Sequence, residues 1–249
     1  MFPALKSAGD PVNARAHIEP GTGTQTFVGY FAVGLGIIFT WGIMLLALPI
    51  GLLVDYFNRK KQMAVLRGSG LEVGPDQFPA LHACAADYAQ RLGMKTPPAI
   101  YIVESNVINA AATRIGSRNF IILVDDAVDA CLRTGDPQTL AFLLGHEMAH
   151  HALGHTGLVR RALAQTNKKL SRLDEFSCDA VAGQLLGDRQ AAARALTVLL
   201  TGPQLMRFVN FVALNQQAAE VAADKDSVKA ERQLRLTHPL LLRRIQRFL

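Results

Sequence analysis

At 249 residues, half of them apolar, the chain has room for one well-filled domain and an appendage but not for a second full domain. A formal charge of +6 raises nucleic acid as a partner, but no Arg/Lys stripe is interleaved with aromatics. One Trp and four Tyr build no stacking platform, so nucleic acid is excluded.

In chain order, residues 1–26 are rich in Gly, Pro, Thr and Ala without periodicity, and are expected as a flexible leader. Residues 27–54 carry no charged side chain over a length that exceeds the roughly 20 residues of a membrane-crossing helix. The run is too long and too late for a signal peptide, so a single transmembrane helix is predicted. Arg59, Lys60, Lys61 and Arg67 follow it closely, whereas Lys6 and Arg15 precede it at a distance. The positive-inside bias then puts the N-terminus outside and the following domain in the cytoplasm. A basic stretch facing anionic membrane lipid accounts for part of the charge excess. Cys84, Cys131 and Cys178, odd in number and scattered, read as reduced thiols, in agreement with that compartment.

RGSG at 67–70 breaks the chain, and a domain over 66–249 follows. Apolar spacing predicts a helix over 76–92, closed by Gly93. The run PPAIYIVES reads as a strand, and NVINAAATRIGSRNFIILVDD as two more around a Gly-Ser turn. From Asp125 onward the pattern is helical: about 136–154, a helix through SRLDEFSCDAVAGQLL to Gly187, 190–200, 203 into the 220s, and a short last helix after His238-Pro239. The apolar stretch 196–214 is interrupted by Gly202, Pro203 and Arg207 and is expected as a core or membrane-facing helix pair.

The chemistry concentrates in HEMAH. His146 and His150, four apart on a helix, present both imidazoles on one face, a spacing suited to one zinc ion. Glu147 can reach a water on that metal without binding the metal, as a general base does. His151 and His155 repeat the spacing without a following acid, and read as a surface and a helix-end histidine, with a role for His155 near the site left open. The third ligand is sought in DEFSCDAVAG, where Glu175, Cys178 and Asp179 share a helix face. Glu175 as ligand with Asp179 behind a histidine N–H is one arrangement; Asp174 and Cys178 are its rivals.

Together HEMAH, SRLDEFSCD and THPLLLRRI resemble the HtpX-like and CAAX-prenyl-endopeptidase group of membrane zinc metallopeptidases. The resemblance runs over about 66–249, with four motifs in family order. It implies Glu175 as the third ligand and Asp179 as its supporting carboxylate. It implies a histidine and an arginine near the substrate at His238 and Arg244, with His238 a candidate for stabilising an oxyanion. NAAAT at 109–113 is similar to the group's NAxA strand, so Asn109, Ala110, Ala111 and Ala112 are expected to bind a peptide as an added strand. Two departures stand: one span where the group has more, and no recognisable motif between Gly187 and Thr237.

The expectation is an α+β fold, a mostly helical zincin-like domain with a small sheet behind a single-pass membrane helix. It uses one zinc ion per chain and hydrolyses peptide or protein substrates, membrane proteins among them. A zinc hydrolase of another substrate and a silent membrane adaptor are the rival readings.

Overall fold

The computed structural model describes residues 3–5, 9–40, 43–104, 110–115, 118–233, 236 and 238–249. The uncharged run 27–54 forms two helices rather than one. Helix α1 (Thr22–Phe39) is followed by Thr40, whose N–H (3.0 Å) and hydroxyl (2.7 Å) both bond Gly36 O. Helix α2 (Ile43–Ser69) then runs through Pro49 and the basic stretch to Ser69. Helix α1 is long and apolar enough to cross a membrane by length and composition.

The RGSG stretch marks a boundary later than expected: helix continues to Ser69 and strand β1 (Gly70–Glu72) starts at once. After helix α3 (Pro79–Arg91) come β2 (Ala99–Val103), β3 (Ala110–Ile115) and β4 (Arg118–Val124). Among the described residues the strands form one mixed sheet in the order β1-β2-β4-β3, with β2 and β4 parallel and the outer pairs antiparallel. Strand β3 therefore lies at an edge, and its free side faces the helices that carry the predicted site.

The helical half comprises α4 (Asp125–Arg133), α5 (Gln138–Ala152), α6 (Leu158–Thr166), α7 (Lys168–Leu186) and α8 (Arg189–Thr201), then α9 (Pro203–Met206), α10 (Phe211–Ala223), α11 (Lys225–Gln233) and α12 (Leu241–Ile245). Side-chain oxygens of Asn167, Asp188 and Asn210 cap α7, α8 and α10. Helices α5 and α7 pack against each other through Leu140, Leu144, Met148, Val181 and Leu185, each essentially withdrawn from water. Burial of such side chains contributes about 1.5–3 kcal/mol apiece and fixes the two helices that carry the chemistry. The stretch 196–214 divides between α8, which lies in the core, and α9–α10, where Leu205, Phe208 and Val212 are exposed.

Several described residues of the leader expected to be flexible dock on the domain, while Gly9, Asp10, Pro11 and Asn13 stay exposed. Leu5, Val12 and Ala14 join the main core, Val12 N–H donates to Arg91 O (2.8 Å), and Arg91 Nε donates to Asp10 O (2.9 Å). Glu19 N–H reaches Ser177 Oγ at 3.0 Å, and its carboxylate pairs with Arg247. Three apolar side chains in a Gly- and Pro-rich segment gave no periodic signal, which is why composition suggested disorder.

The C-terminus closes against α7 at Gly183, where an added Cβ would lie 2.5 Å from a ring carbon of Phe248. Phe248 is itself wedged edge-on against Phe142 (5.7 Å between centroids), so it has little room to retreat. Gly183→Ala is expected to lower unfolding free energy by about 1–3 kcal/mol, read as a shift in urea midpoint at constant slope.

Candidate active site

Helix α5 turns His146 and His150 toward α7, whose Glu175 comes between the two imidazoles. His146 Nε2 and His150 Nε2 are 3.3 Å apart, Glu175 Oε2 is 3.5 Å from the first, and Glu175 Oε1 is 3.6 Å from the second. Ligand atoms held about 2.0–2.1 Å from a tetrahedral ion lie about 3.3–3.4 Å from one another, so this trio has the spacing such an ion requires. The ring orientations agree. His146 Nδ1 lies 2.9 Å from Asp179 Oδ1, and as a donor there it keeps Nε2 free for a metal.

Behind the trio, Arg244 of α12 grips Asp179 with two bonds of 2.7 Å and approaches Glu175 Oε2 at 3.4 Å. His238 Nδ1 sits 3.0 Å from the same Glu175 oxygen, with its ring exposed at the site's mouth. Burial opposes the charge on Glu175, yet hydrogen bonds from His146, His150 and His238 hold its carboxyl well below the usual range. Burial likewise opposes ionisation of Asp179, and Arg244 outweighs it. For His146 burial disfavours the cation, but bonds to Asp179 and Glu175 prevail and raise it to about 10. Buried carboxylates are thus concentrated at this point, the electrostatic setting of a cation site.

A cleft of about 740 Å³ opens onto His146, Glu147, His150 and Glu175, and Ala110, Ala111 and Ala112 of β3 form its opposite wall. His238 and Arg244 line it as well. Asn109 lies outside the described residues. The geometry therefore brings together the predicted metal ligands, the predicted base and the alanine strand on one cavity. Arg244, expected beside substrate, has its guanidinium engaged by Asp179 and Glu175.

His155 occupies a position that spacing alone did not reveal. Helix α5 ends in a Schellman turn: Gly154 at φ +76 donates to His151 O (3.1 Å), and His155 N–H returns to His150 O (2.9 Å). That reversal lays the His155 ring against His150, with the two Nδ1 atoms 3.2 Å apart. His155 Nε2 is 3.4 Å from Asp174 Oδ1, which Arg160 holds at 2.5 Å. Asp174, weighed as a rival ligand, is occupied in this way. The sequence signal was GH directly after the helix, a glycine in the position that folds the next residue back one turn.

His151, expected at the surface, is buried instead. It bridges Phe120 O (3.0 Å) and Thr156 Oγ1 (3.1 Å), tying α5 to β4, and burial lowers it to about 4. Cys178 forms a second group with His150 and His155, its Sγ 3.5 Å from His155 Nδ1. The thiol is fully buried, and burial together with the Glu175, Asp179 and Asp174 charges pushes its ionisation well up.

The pattern of peptidase family M48 matches two overlapping segments, 75–166 and 156–249, which together take in every described element from α3 to the C-terminus. The chain belongs to peptidase family M48. No solved structure matches it. Membership of M48 implies metallopeptidase activity, in the HtpX-like and CAAX-protease-like branch of zinc-dependent enzymes that the motifs resemble. For an M48 peptidase the fold is as expected: mostly helical, with a small mixed sheet and an apolar N-terminal helix.

Proposed function

We propose that the chain is a membrane-anchored zinc metalloendopeptidase, with His146, His150 and Glu175 holding one zinc ion and Glu147 acting as general base. The observation that carries this reading is the near-tetrahedral spacing of the three ligand atoms on a cleft shared with Glu147 and an edge strand. Zinc bound there supplies Lewis acidity, polarising a carbonyl and lowering the pKa of a water toward about 7.

The chain's own groups do the rest. Glu147 takes a proton from the attacking water and returns it to the departing amine nitrogen. Asp179, clamped by Arg244, fixes the His146 ring. His238, whose Nδ1–H bond to the Glu175 carboxylate favours the imidazolium, then offers Nε2–H as a donor to the oxyanion that develops on the scissile carbonyl. Backbone groups of Ala110–Ala112, with Asn109 before them, hold the peptide extended along β3, and the methyl side chains leave room for it. Peptide cleavage by the purified protein, abolished by a chelator and restored by one equivalent of zinc, tests the reading. Zinc uptake without cleavage of any peptide in a library sinks it.

His155 has a supporting part in this scheme. It accepts the His150 Nδ1 proton and passes its own Nε2–H to Asp174, so the zinc-facing nitrogen of His150 is fixed. His155→Leu is expected to weaken zinc binding about 10–100-fold, as loss of such a partner does. Glutamine can accept and donate in the same two directions, so His155→Gln should recover most of that affinity, measured by competition with a chromophoric chelator.

A further inference from the structure

The apolar run leaves the domain and comes back to the place it left. Near its start, Gly29 of α1 lies against α6, so close that an added Cβ would be 2.9 Å from Leu163 Cδ2. After it, Asp55 of α2 pairs with Arg161 of the same helix at 3.3 Å. Outside these two points the chain stays on the domain. On the N-terminal side Gln25 bonds Asn167 (3.0 Å), Glu19 bonds Ser177, and Leu5, Val12 and Ala14 lie in the core. On the other side Arg59 donates to Arg114 O (2.5 Å), and Met63 and Leu66 pack on Tyr101 and Phe120. An N-terminus across the membrane from the domain would have to surrender all of the first set.

The reach of the projecting part is limited. Residues 30–39 and 43–54 rise about 15 Å and about 18 Å at 1.5 Å per residue. The hydrocarbon core is about 30 Å thick, so each arm covers about one leaflet. Phe31, Ile38 and Phe39 of α1 and Ile43, Ile50 and Leu53 of α2 are exposed, and only 6% of the α1 window is buried. A protein partner covers one face of a helix, whereas lipid covers the whole circumference. Lys60 and Lys61 are exposed just beyond the return point, where a basic pair suits anionic headgroups.

Resting on the membrane-anchor reading above, we infer that α1 and α2 form a re-entrant hairpin that enters one leaflet of a lipid bilayer, with the N-terminus and the peptidase domain on the same side. This replaces the single-pass arrangement expected from composition. The basic residues at the hairpin base keep that shared side cytoplasmic under the positive-inside bias.

The test uses the full-length, zinc-loaded protein in sealed vesicles and a membrane-impermeant maleimide. Its three native thiols are buried, and the unsubstituted protein sets the background. Asp10→Cys and Lys95→Cys should react from the same side, and Thr40→Cys from neither side until detergent is added. Trp41, the only tryptophan of the chain, follows α1 in sequence. Its fluorescence in the unsubstituted protein should be quenched by lipids brominated on the acyl chain, a readout independent of whether the variants fold. Labelling of Asp10→Cys and Lys95→Cys from opposite sides, or of Thr40→Cys from the far side, overturns the hairpin and leaves the membrane anchor standing. An unquenched Trp41 in a protein that separates from the vesicles at high pH overturns both. An unquenched Trp41 in a lipid-free dimer assigns the apolar arms to a second copy and likewise overturns the proposal.

Discussion

Replacing Glu147 with glutamine is expected to lower kcat/KM for peptide cleavage by about 10²–10⁴-fold while the protein keeps its full zinc content. The side chain retains its size at a half-enclosed cleft wall next to His146 but can no longer take a proton. A loss of that size corresponds to about 3–5 kcal/mol of transition-state stabilisation. Because the proposed ligand atoms belong to His146, His150 and Glu175, metal binding should be unaffected. Metal analysis and kinetics on the same sample separate the two effects. A variant that lost zinc along with activity would place Glu147 among the ligands instead.

The second large effect concerns the ligand choice. Glu175→Ala should weaken zinc binding by more than about 100-fold, beyond what loss of a supporting residue costs. It also removes the anion between His146, His150, His238 and Arg244, so the metal-free protein should lose stability as well. Cys178→Ser should leave zinc content unchanged. The thiol lies on the far side of His150, fully buried and held protonated by its surroundings. Zinc retained by Glu175→Ala and lost from Cys178→Ser would move the metal onto the thiol cluster.

What the sequence revealed depended on the range of the interaction. His146, Glu147 and His150 share a helix, and Glu175 and Asp179 share another, so the helical period alone aligned each set. The β-branched and aromatic runs AIYIV and NFIILV gave the strands from local composition and the Gly-Ser turn. The contact of Glu175 with His146 joins two helices, and spacing left Asp174 and Cys178 as rivals until the resemblance to known peptidases chose Glu175. Arg244 shows the limit more sharply: it reaches Asp179 across 65 positions, and no local pattern says which acid an arginine near the terminus will find. His155 was within local reach, but its role depended on reading Gly154 as a left-handed turn.

The division of the apolar run into two helices was hidden for a different reason. Hydropathy counts charges, and residues 27–54 have none, so nothing in it marks a helix end at Thr40. At that end Thr40 bonds Gly36 O through its hydroxyl, a polar contact that hydropathy does not register. The leader carried its information in three apolar residues that join the main core and in Glu19, which reaches Ser177 of α7 and Arg247. Sequence separation of 158 residues between Glu19 and Ser177 puts that docking beyond any periodicity argument.

The central claim is that one zinc ion sits on two imidazoles and a carboxylate, and X-ray absorption at the zinc K-edge of the purified protein tests it most directly. The account predicts about one zinc per chain, imidazole scattering from two histidines, and a first shell of nitrogen and oxygen alone at about 2.0–2.1 Å. A sulfur scatterer at about 2.3 Å would put the metal on Cys178 with His150 and His155, and would contradict it.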